Sequence, residues 1–191
     1  MLLTPSTELD AVNYLLLSIG ETPVNTLDEE ATDTIALIAH RTLHQISRQV
    51  QATGLNCNSE PNYPLRRDTS GYIRVPMNTL KADATDPTID VVLRGRRLYD
   101  RTNHSYIFKK DLRVDLVIFL PFEELPQVVR DYVTVRAVRV FQSKVIGSEA
   151  LHSFSLQDEQ EARVAMIQEE TDSGDYNILR TPDVFRMLKR R

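Results

Sequence analysis

The 191-residue sequence contains a single cysteine, Cys57, and this scarcity limits both its cross-linking and its metal chemistry. One thiol cannot form an internal disulfide, and a zinc cage built only from cysteines needs several thiolates around the metal. Long apolar runs are also missing, since the longest covers only residues 116–120 and is too short for a membrane span. The first residues carry no basic segment. We therefore expect synthesis in a reducing cytoplasm, with no export signal and no membrane anchor.

Signatures of common enzymes are missing too. The sequence contains no GxSxG, no P-loop and no dinucleotide-binding fingerprint, and Cys57 has no visible activating partner. Two pairs of acids, Glu123 with Glu124 and Asp111 with Asp115, could in principle serve glycoside cleavage. Adjacent acids at a helix entry are better explained by a favourable interaction with the helix dipole. The sequence therefore predicts a protein that is not an enzyme, with glycan cleavage or glycan binding as the alternative.

His40 and His44 lie four residues apart on a predicted helix, a spacing that could place two imidazoles on one face. The segment HRTLH nevertheless lacks the glutamate of a zinc-protease helix, and the sequence indicates no third ligand. We therefore predict no metal site and no cofactor.

The charges are nearly balanced in number but unevenly distributed. With 23 basic and 27 acidic residues the formal net charge is −4, which argues against a general nucleic-acid coat, because such binding depends on Lys and Arg neutralising phosphates. Residues 149–175 are mostly acidic, whereas the centre of the chain is basic: Arg94, Arg96, Arg97, Arg101, Lys109, Lys110 and Arg113. Such segregation is common on single surfaces and also suits head-to-tail contact between copies.

The basic run RGRR at residues 94–97 resembles a nucleic-acid patch. A single-strand binder also needs aromatic side chains on which bases can stack, and the sequence does not arrange aromatic residues around this run. A cytoplasmic nucleic-acid binder therefore stands as a third hypothesis, beside a structural protein and a glycan-directed protein.

Helical periodicity is clear in the first third of the chain. Apolar residues at three- and four-residue spacing predict a first helix capped by Ser6 or Thr7. A capping box at Thr26, with Glu29 three residues later, predicts the start of a second helix. A glycine follows each of these helices and ends it.

Two further helices are predicted after the centre of the chain. Pro126 suits the first turn of a third helix that reaches about Ile146 and has more than one apolar face. Ser148 can cap a fourth helix that reaches about Ser173. The segment that follows is too short to be stable alone. We expect it either to dock on a partner or, alternatively, to pack on its own bundle or fray.

The pattern between the helix pairs is typical of short strands. Runs rich in β-branched and aromatic residues, separated by turn residues such as those at 61–64, predict strands at 72–76, 88–93, 96–100, 105–108 and 113–120. The predicted class is α+β, in which N- and C-terminal helix pairs form a four-helix bundle with an inserted small antiparallel β domain and an extended C-terminal segment. The predicted domains are the bundle at 1–54 and 121–175, the β-rich insertion at 55–120 and a docking tail at 176–191.

Several motifs occur in an order that resembles one known family. The chain opens with LDAVNYLLLSIGETPVNTL, continues with an NxE motif at residues 58–60 and LYDRTNHSYIF, and closes with LPFEELPQVVRDYVTVRAVRVFQSKVIGS, LQDEQEARVAMIQEE and GDYNIL. Together these motifs resemble the tail tubular protein A family of short-tailed phages across nearly the whole chain. Residues 61–90 match least, and the chain has no tryptophan.

This resemblance implies a structural virion protein at the head-to-tail junction, synthesised in the host cytoplasm. Family members form a dodecameric ring between the portal protein and the tail nozzle, tail tubular protein B. They line the channel through which double-stranded DNA leaves, without sequence-specific binding, and they help to attach tail fibres or spikes. No membrane contact is expected.

The predicted functional residues fall into three groups. The portal-docking candidates are Phe185, Met187, Leu188, Lys189, Arg190 and Arg191. The arginines that could anchor contacts between subunits are Arg94, Arg96, Arg97, Arg136 and Arg139. The acidic residues that could line a channel through which DNA slides are Asp158, Glu159, Glu161, Glu169 and Glu170. The acidic fourth helix could alternatively meet the basic strand block of a neighbouring subunit.

Overall fold

Helices at both ends of the chain flank a β-rich middle. The computed structural model describes residues 6–28, 33–145 and 149–173, with side chains in the last range from residue 156 onward. The helices are α1 (Glu8–Leu17), α2 (Thr34–Gln51), α3 (Gln127–Val145) and α4 (Glu149–Ser173). The predicted α+β class is confirmed. Within the described ranges, no helix is long and apolar enough to cross a membrane.

The strands of the described chain form two antiparallel sheets. They are β1 (Ser59–Leu65), β2 (Thr79–Ala84), β3 (Val91–Arg94), β4 (Arg97–Asp100) and β5 (Leu112–Ile118). The larger sheet has the order β1-β5-β2, so β5 lies in the middle and pairs with both neighbours. β3 and β4 form a separate hairpin in which Arg94 is opposite Arg97.

The prediction of a turn at residues 61–64 is wrong, because these residues lie in β1. Proline lacks the N–H that a central strand must donate, but it is tolerated on an edge strand, and β1 lies at the edge of its sheet. The pairing with β5 shifts between Glu60 and Tyr63, where Asn62 has a φ of 59°. This bulge bends the strand and accommodates the residues that read as a turn.

The predicted strands at 72–76 and 105–108 are also wrong, since they make only isolated bridges, one of which joins Tyr72 to Ile107. Both segments do place apolar side chains in the core of the β-rich middle, including Ile73 and Phe108. The apolar pattern that predicts a strand here therefore reflects burial and not a continuous ladder.

Local hydrogen bonds determine where the first two helices begin. The Thr7 hydroxyl accepts the Asp10 N–H at 3.1 Å, and the Asp10 carboxylate accepts the Thr7 N–H at 2.9 Å, which forms a capping box at α1. The prediction that Thr26 caps α2 is wrong, because Asp33 is the cap. Thr26 instead accepts the N–H of Asp28 in a local turn.

Three helices share one hydrophobic core. Its buried side chains come from α1, α2 and α3 and include Val12, Leu15, Leu16, Leu43, Ile46, Val50, Val129, Val133 and Phe141. α4 packs along α3 and adds Met166, with Ala162 partly buried beside it. α4 therefore lies against one side of this core. The four-helix bundle expected from the sequence stays a prediction.

The β-rich middle has a second hydrophobic core, and two buried amides join it to the helices. Gln51, at the end of α2, donates to the Leu120 carbonyl at 3.0 Å and accepts the Leu120 N–H at 2.7 Å. Asn58 donates to the carbonyls of Gln51 at 3.0 Å and Ile118 at 2.7 Å, and accepts the Leu55 N–H at 2.8 Å. We call Gln51 and Asn58 the amide junction. Their exposures are 0% and 1%.

We expect Gln51→Ala to destabilise the protein by about 2–4 kcal/mol, because it leaves two backbone groups of Leu120 without partners and each such group costs about 1–3 kcal/mol. The matched control is Gln49→Ala, an exposed position on the same helix, which should change stability by about 0.5 kcal/mol or less. Urea unfolding measures both. Equal midpoints for the two variants would contradict a structural role for the junction.

Candidate assembly surfaces

Two arginines of the β3–β4 hairpin lie on a platform of tyrosine rings. The hairpin turns at Gly95, whose φ of 63° suits glycine. The Arg94 guanidinium carbon lies 3.6 Å from the centroid of the Tyr99 ring. The Arg97 guanidinium carbon lies 4.9 Å from the Tyr106 centroid and 5.3 Å from the Tyr72 centroid. We call Arg94, Arg97 and these three tyrosines the Arg–Tyr surface.

Two polar turns hold Tyr72 and Tyr106 in place. The Asp68 carboxylate accepts the Tyr72 N–H at 2.9 Å, which lowers the pKa of Asp68. Gly71, between Asp68 and Tyr72 in the sequence, has a φ of 84°. A Cβ at this position would lie 2.8 Å from an Ile107 methyl group, so the turn requires glycine. Asp100 and Ser105 exchange backbone hydrogen bonds of 2.8 and 3.2 Å just before Tyr106.

This arrangement corrects one interpretation of the sequence. The expectation that no aromatic residues surround the RGRR run is wrong, because the fold places Tyr72, Tyr99 and Tyr106 against its arginines. The three tyrosines come from separate segments of the chain. Arg94, Arg96 and Arg97 are exposed, and no carboxylate of the described ranges forms an ion pair with them. The guanidinium groups of Arg94 and Arg97 are therefore positioned by cation–π contacts, while their charges stay available for a partner.

Arg136 and Arg139 lie elsewhere, at the contact between α3 and α4. Both face Glu159 of α4: Arg139 Nε donates to the carboxylate, and Arg136 Nε lies 3.8 Å from its second oxygen. Arg136 also donates from Nη1 to the Tyr132 hydroxyl at 3.1 Å. Its Nε is buried and has no hydrogen-bond partner among the described residues. Two cations therefore meet one carboxylate, which leaves an excess of positive charge at this contact.

The predicted channel residues divide into two groups. Glu159 is only 9% exposed. The Glu170 carboxylate accepts the backbone N–H of Asn56 at 2.7 Å, and the Glu170 backbone carbonyl accepts the side-chain amide of Asn56 at 2.6 Å. Both are thus engaged within the subunit. The others are exposed, and we call them the α4 acidic stripe: Asp158, Glu161 and Glu169.

α4 also exposes apolar residues on a different side. Leu156, Val164 and Ile167 are 41%, 63% and 48% exposed, and we call them the α4 apolar stripe. At 100° per residue they fall within roughly 80° of one another, on the other side of the buried Met166 from the acidic stripe. α4 therefore presents an acidic side and an apolar side to its surroundings.

A cleft of about 570 Å³ lies between α4, α3 and the end of α2. Tyr132, Arg136 and Met166 contribute to its walls. Cys57 follows the adjoining Asn56 in a short helical turn, and burial together with the charge of Glu170 raises the pKa of its thiol. A raised pKa disfavours the thiolate that a cysteine nucleophile needs.

Three of the four acids considered for glycoside cleavage accept backbone N–H groups. Asp111 accepts the Arg67 N–H at 3.0 Å, and Asp115 accepts the Asn62 N–H at 2.8 Å. Glu123 accepts the Glu8 N–H at 3.3 Å. The predicted portal-docking residues, which are Phe185, Met187, Leu188, Lys189, Arg190 and Arg191, lie outside the described residues.

Comparison with known proteins identifies the family to which this chain belongs. Residues 9–176 match the family described as tail tubular protein. The chain therefore belongs to the tail tubular protein family and is a structural phage tail protein of the virion. Tail tubular protein A of Klebsiella phage KP34 is 28% identical over 120 residues. The aligned part covers 63% of this chain and 63% of that relative.

We expect Glu159→Gln to loosen α4, because Arg136 and Arg139 lose their shared anion. The loss of stability should be about 1–3 kcal/mol, less than the roughly 3–5 kcal/mol of a fully buried pair because the arginines are partly exposed. Glu161→Gln, an exposed change on the same helix, is the control. Urea unfolding gives the stability, and amide hydrogen exchange should show faster exchange in α4 of the first variant alone. Identical exchange in both variants would count against the charge cluster.

Proposed function

We propose that this protein is the adaptor subunit that forms a ring between the portal protein and the tail nozzle, tail tubular protein B. Membership of the tail tubular protein family over residues 9–176 supports this role. A ring of twelve subunits follows the family resemblance of the sequence. In such a ring each subunit needs two unlike surfaces that complement each other around the axis.

The observation that carries the proposal is that one subunit leaves two surfaces of different character exposed. The Arg–Tyr surface is cationic, and its arginines have no acidic partner among the described residues. The α4 apolar stripe is exposed, although it lies on a helix that already buries Met166. Single apolar residues on a surface need no explanation, but three on one side of the same helix suit a contact with a partner.

Contacts between neighbouring subunits would satisfy these surfaces. The α4 apolar stripe would be buried against the next copy, and Arg94, Arg96 and Arg97 would meet its carboxylates. The excess positive charge where Arg136 and Arg139 share Glu159 would attract a further carboxylate, consistent with their proposed place near the interface. The aromatic platform would limit the conformational entropy that Arg94 and Arg97 lose on assembly.

The α4 acidic stripe suits the channel wall. DNA passing through the ring carries a dense negative charge, and rows of Lys or Arg would bind its phosphates. Asp158, Glu161 and Glu169 are exposed on one side of α4 and would leave the DNA free to slide. Passage would then involve no sequence-specific contact.

Contacts with other tail components complete the proposed role. The segment from Phe185 to Arg191 combines apolar anchors with a basic end and would bind a groove on the portal. The nozzle and the tail fibres or spikes would attach on other sides of the ring, at the head-to-tail junction of the virion.

Electron microscopy of the protein mixed with purified portal tests this role. We expect rings seated on the portal, whereas the protein alone stays monomeric or weakly associated. Deletion of residues 180–191 should leave a folded monomer that neither binds portal nor seals filled heads. Unimpaired assembly of the truncated chain on the portal would contradict the proposed role of residues 180–191 in portal binding. Turnover of surface polysaccharide by the full chain, with no ring on the portal, would favour the glycan-directed alternative.

The double variant Arg94→Gln with Arg97→Gln isolates the Arg–Tyr surface. We expect fewer complete rings on the portal, by about 10-fold or more if each lost charge contact contributes at least ~1 kcal/mol per subunit. Arg66→Gln with Arg67→Gln removes the same charge from exposed positions of the β-rich middle and serves as the control. Counting ringed portals in micrographs at several salt concentrations compares the two. An equal loss in both variants would indicate net charge as the cause instead of this surface.

A further inference from the structure

Three potential metal ligands converge where α1 packs on α2. Glu8 is the first residue of α1, and His40 and His44 lie on successive turns of α2. Glu8 Oε1 lies 3.1 Å from His40 Nε2 and 2.8 Å from His44 Nε2. The two histidine nitrogens are 3.1 Å apart. One oxygen and two nitrogens therefore form a nearly regular triangle, and Glu8 supplies the third ligand that the sequence does not indicate.

Hydrogen bonds alone do not satisfy all three sides of this triangle. If both rings donate to the Glu8 oxygen, their N–H groups point at one place and repel each other at a separation of 3.1 Å. If one ring nitrogen accepts from the other, it gives up its own donation to Glu8. A metal ion resolves the conflict because it accepts a lone pair from each of the three atoms. Ligands at about 2.0–2.2 Å around tetrahedral zinc lie roughly 3.3 Å apart, close to the separations found here.

We propose that Glu8, His40 and His44 bind one divalent transition-metal ion of the zinc type. Imidazole nitrogen combined with one carboxylate suits such ions, whereas Mg²⁺ and Ca²⁺ prefer oxygen ligands. The side chains of Glu8, His40 and His44 are 21%, 23% and 49% exposed. Solvent can therefore reach the site and supply a fourth ligand.

Charged groups from neighbouring elements face the same site. The hydrogen bond from His44 lowers the pKa of Glu8, and the same contact raises the pKa of His44. Arg48, one turn further along α2, opposes the positive charge on His44, whereas Glu123 from the turn before α3 favours it. An ion pair between Glu8 and protonated His44 is thus the competing state, and metal binding must displace that proton.

A metal at this position would cross-link two helices that are distant in the sequence. It would join residue 8 to residue 40, which are 32 positions apart in the chain. The start of α1 also contacts α3, since the Ser6 carbonyl accepts from Arg130 Nη1 at 2.9 Å. The ion would therefore fix α1 against α2 and α3. It should raise the unfolding temperature, because it binds only the folded state.

Calorimetry of the full-length, tag-free protein after chelator treatment tests the proposal directly with Zn²⁺. We expect one equivalent to bind, a higher unfolding temperature with Zn²⁺, and neither effect with Mg²⁺ or Ca²⁺. Loss of an outer-shell partner weakens metal binding by about 10–100-fold, so His44→Gln and Glu8→Gln should weaken it by at least roughly 100-fold. His104→Gln, an exposed histidine of the β-rich middle, should bind as the unchanged protein does.

A second measurement needs no variant and so does not depend on how the variants fold. In NMR spectra of the unchanged protein, Zn²⁺ should shift the ring nitrogens of His40 and His44 and leave those of His104 and His152 in place. Absence of saturable Zn²⁺ binding would overturn the proposal and leave the Glu8–His44 ion pair as the function of these residues. Unchanged affinity in His44→Gln, or shifts confined to the other two histidines, would overturn it as well.

Discussion

The amide junction determines how the two halves of this subunit are oriented. The helices and the β-rich middle have separate hydrophobic cores, and apolar contact alone specifies orientation weakly because it has no preferred direction. Gln51 and Asn58 are almost fully buried and bind backbone groups on either side of the boundary, at Leu120 and Ile118. A buried amide without partners is costly. Rotation of one half against the other would break several of these bonds together, so the orientation is specified by hydrogen bonds.

That orientation matters because the proposed ring contacts lie on different halves. The Arg–Tyr surface lies on the β-rich middle, around the β3–β4 hairpin, whereas the acidic and apolar stripes belong to α4. Closure of a ring requires the two contact surfaces of a subunit to be held at one angle, since an error accumulates around the axis. A rigid junction between the halves provides that angle. Asn58, the first residue of the NxE motif, therefore has a structural role in this junction. Glu60, the last residue of the motif, is exposed on the edge strand β1.

Most features set by neighbours in the sequence were predictable, although Asp33 and not Thr26 caps α2. Features set by distant residues were not predictable. The Thr7 cap and the start of α3 after Pro126 follow from local chemistry, and the structure has both. β1 was missed because its prolines indicate a turn unless the strand is known to lie at an edge. Glu8 could not be recognised as a partner of His44, because only packing of α1 on α2 brings them together. The tyrosines around Arg97 likewise come from segments joined by the fold.

Among the described residues, α4 buries fewer of its own side chains than the other three helices. Its described side chains bury chiefly Met166 and Glu159, and polar contacts hold it at two places, through Arg139 and through Asn56. The cleft of about 570 Å³ beneath it shows that the helix does not fill the space above α3. Burial of the α4 apolar stripe would add about 25 cal/mol for each Å² of apolar surface removed from water. A neighbouring subunit that covers this stripe would therefore stabilise α4 in place, and ring formation and the final seating of α4 would be coupled events.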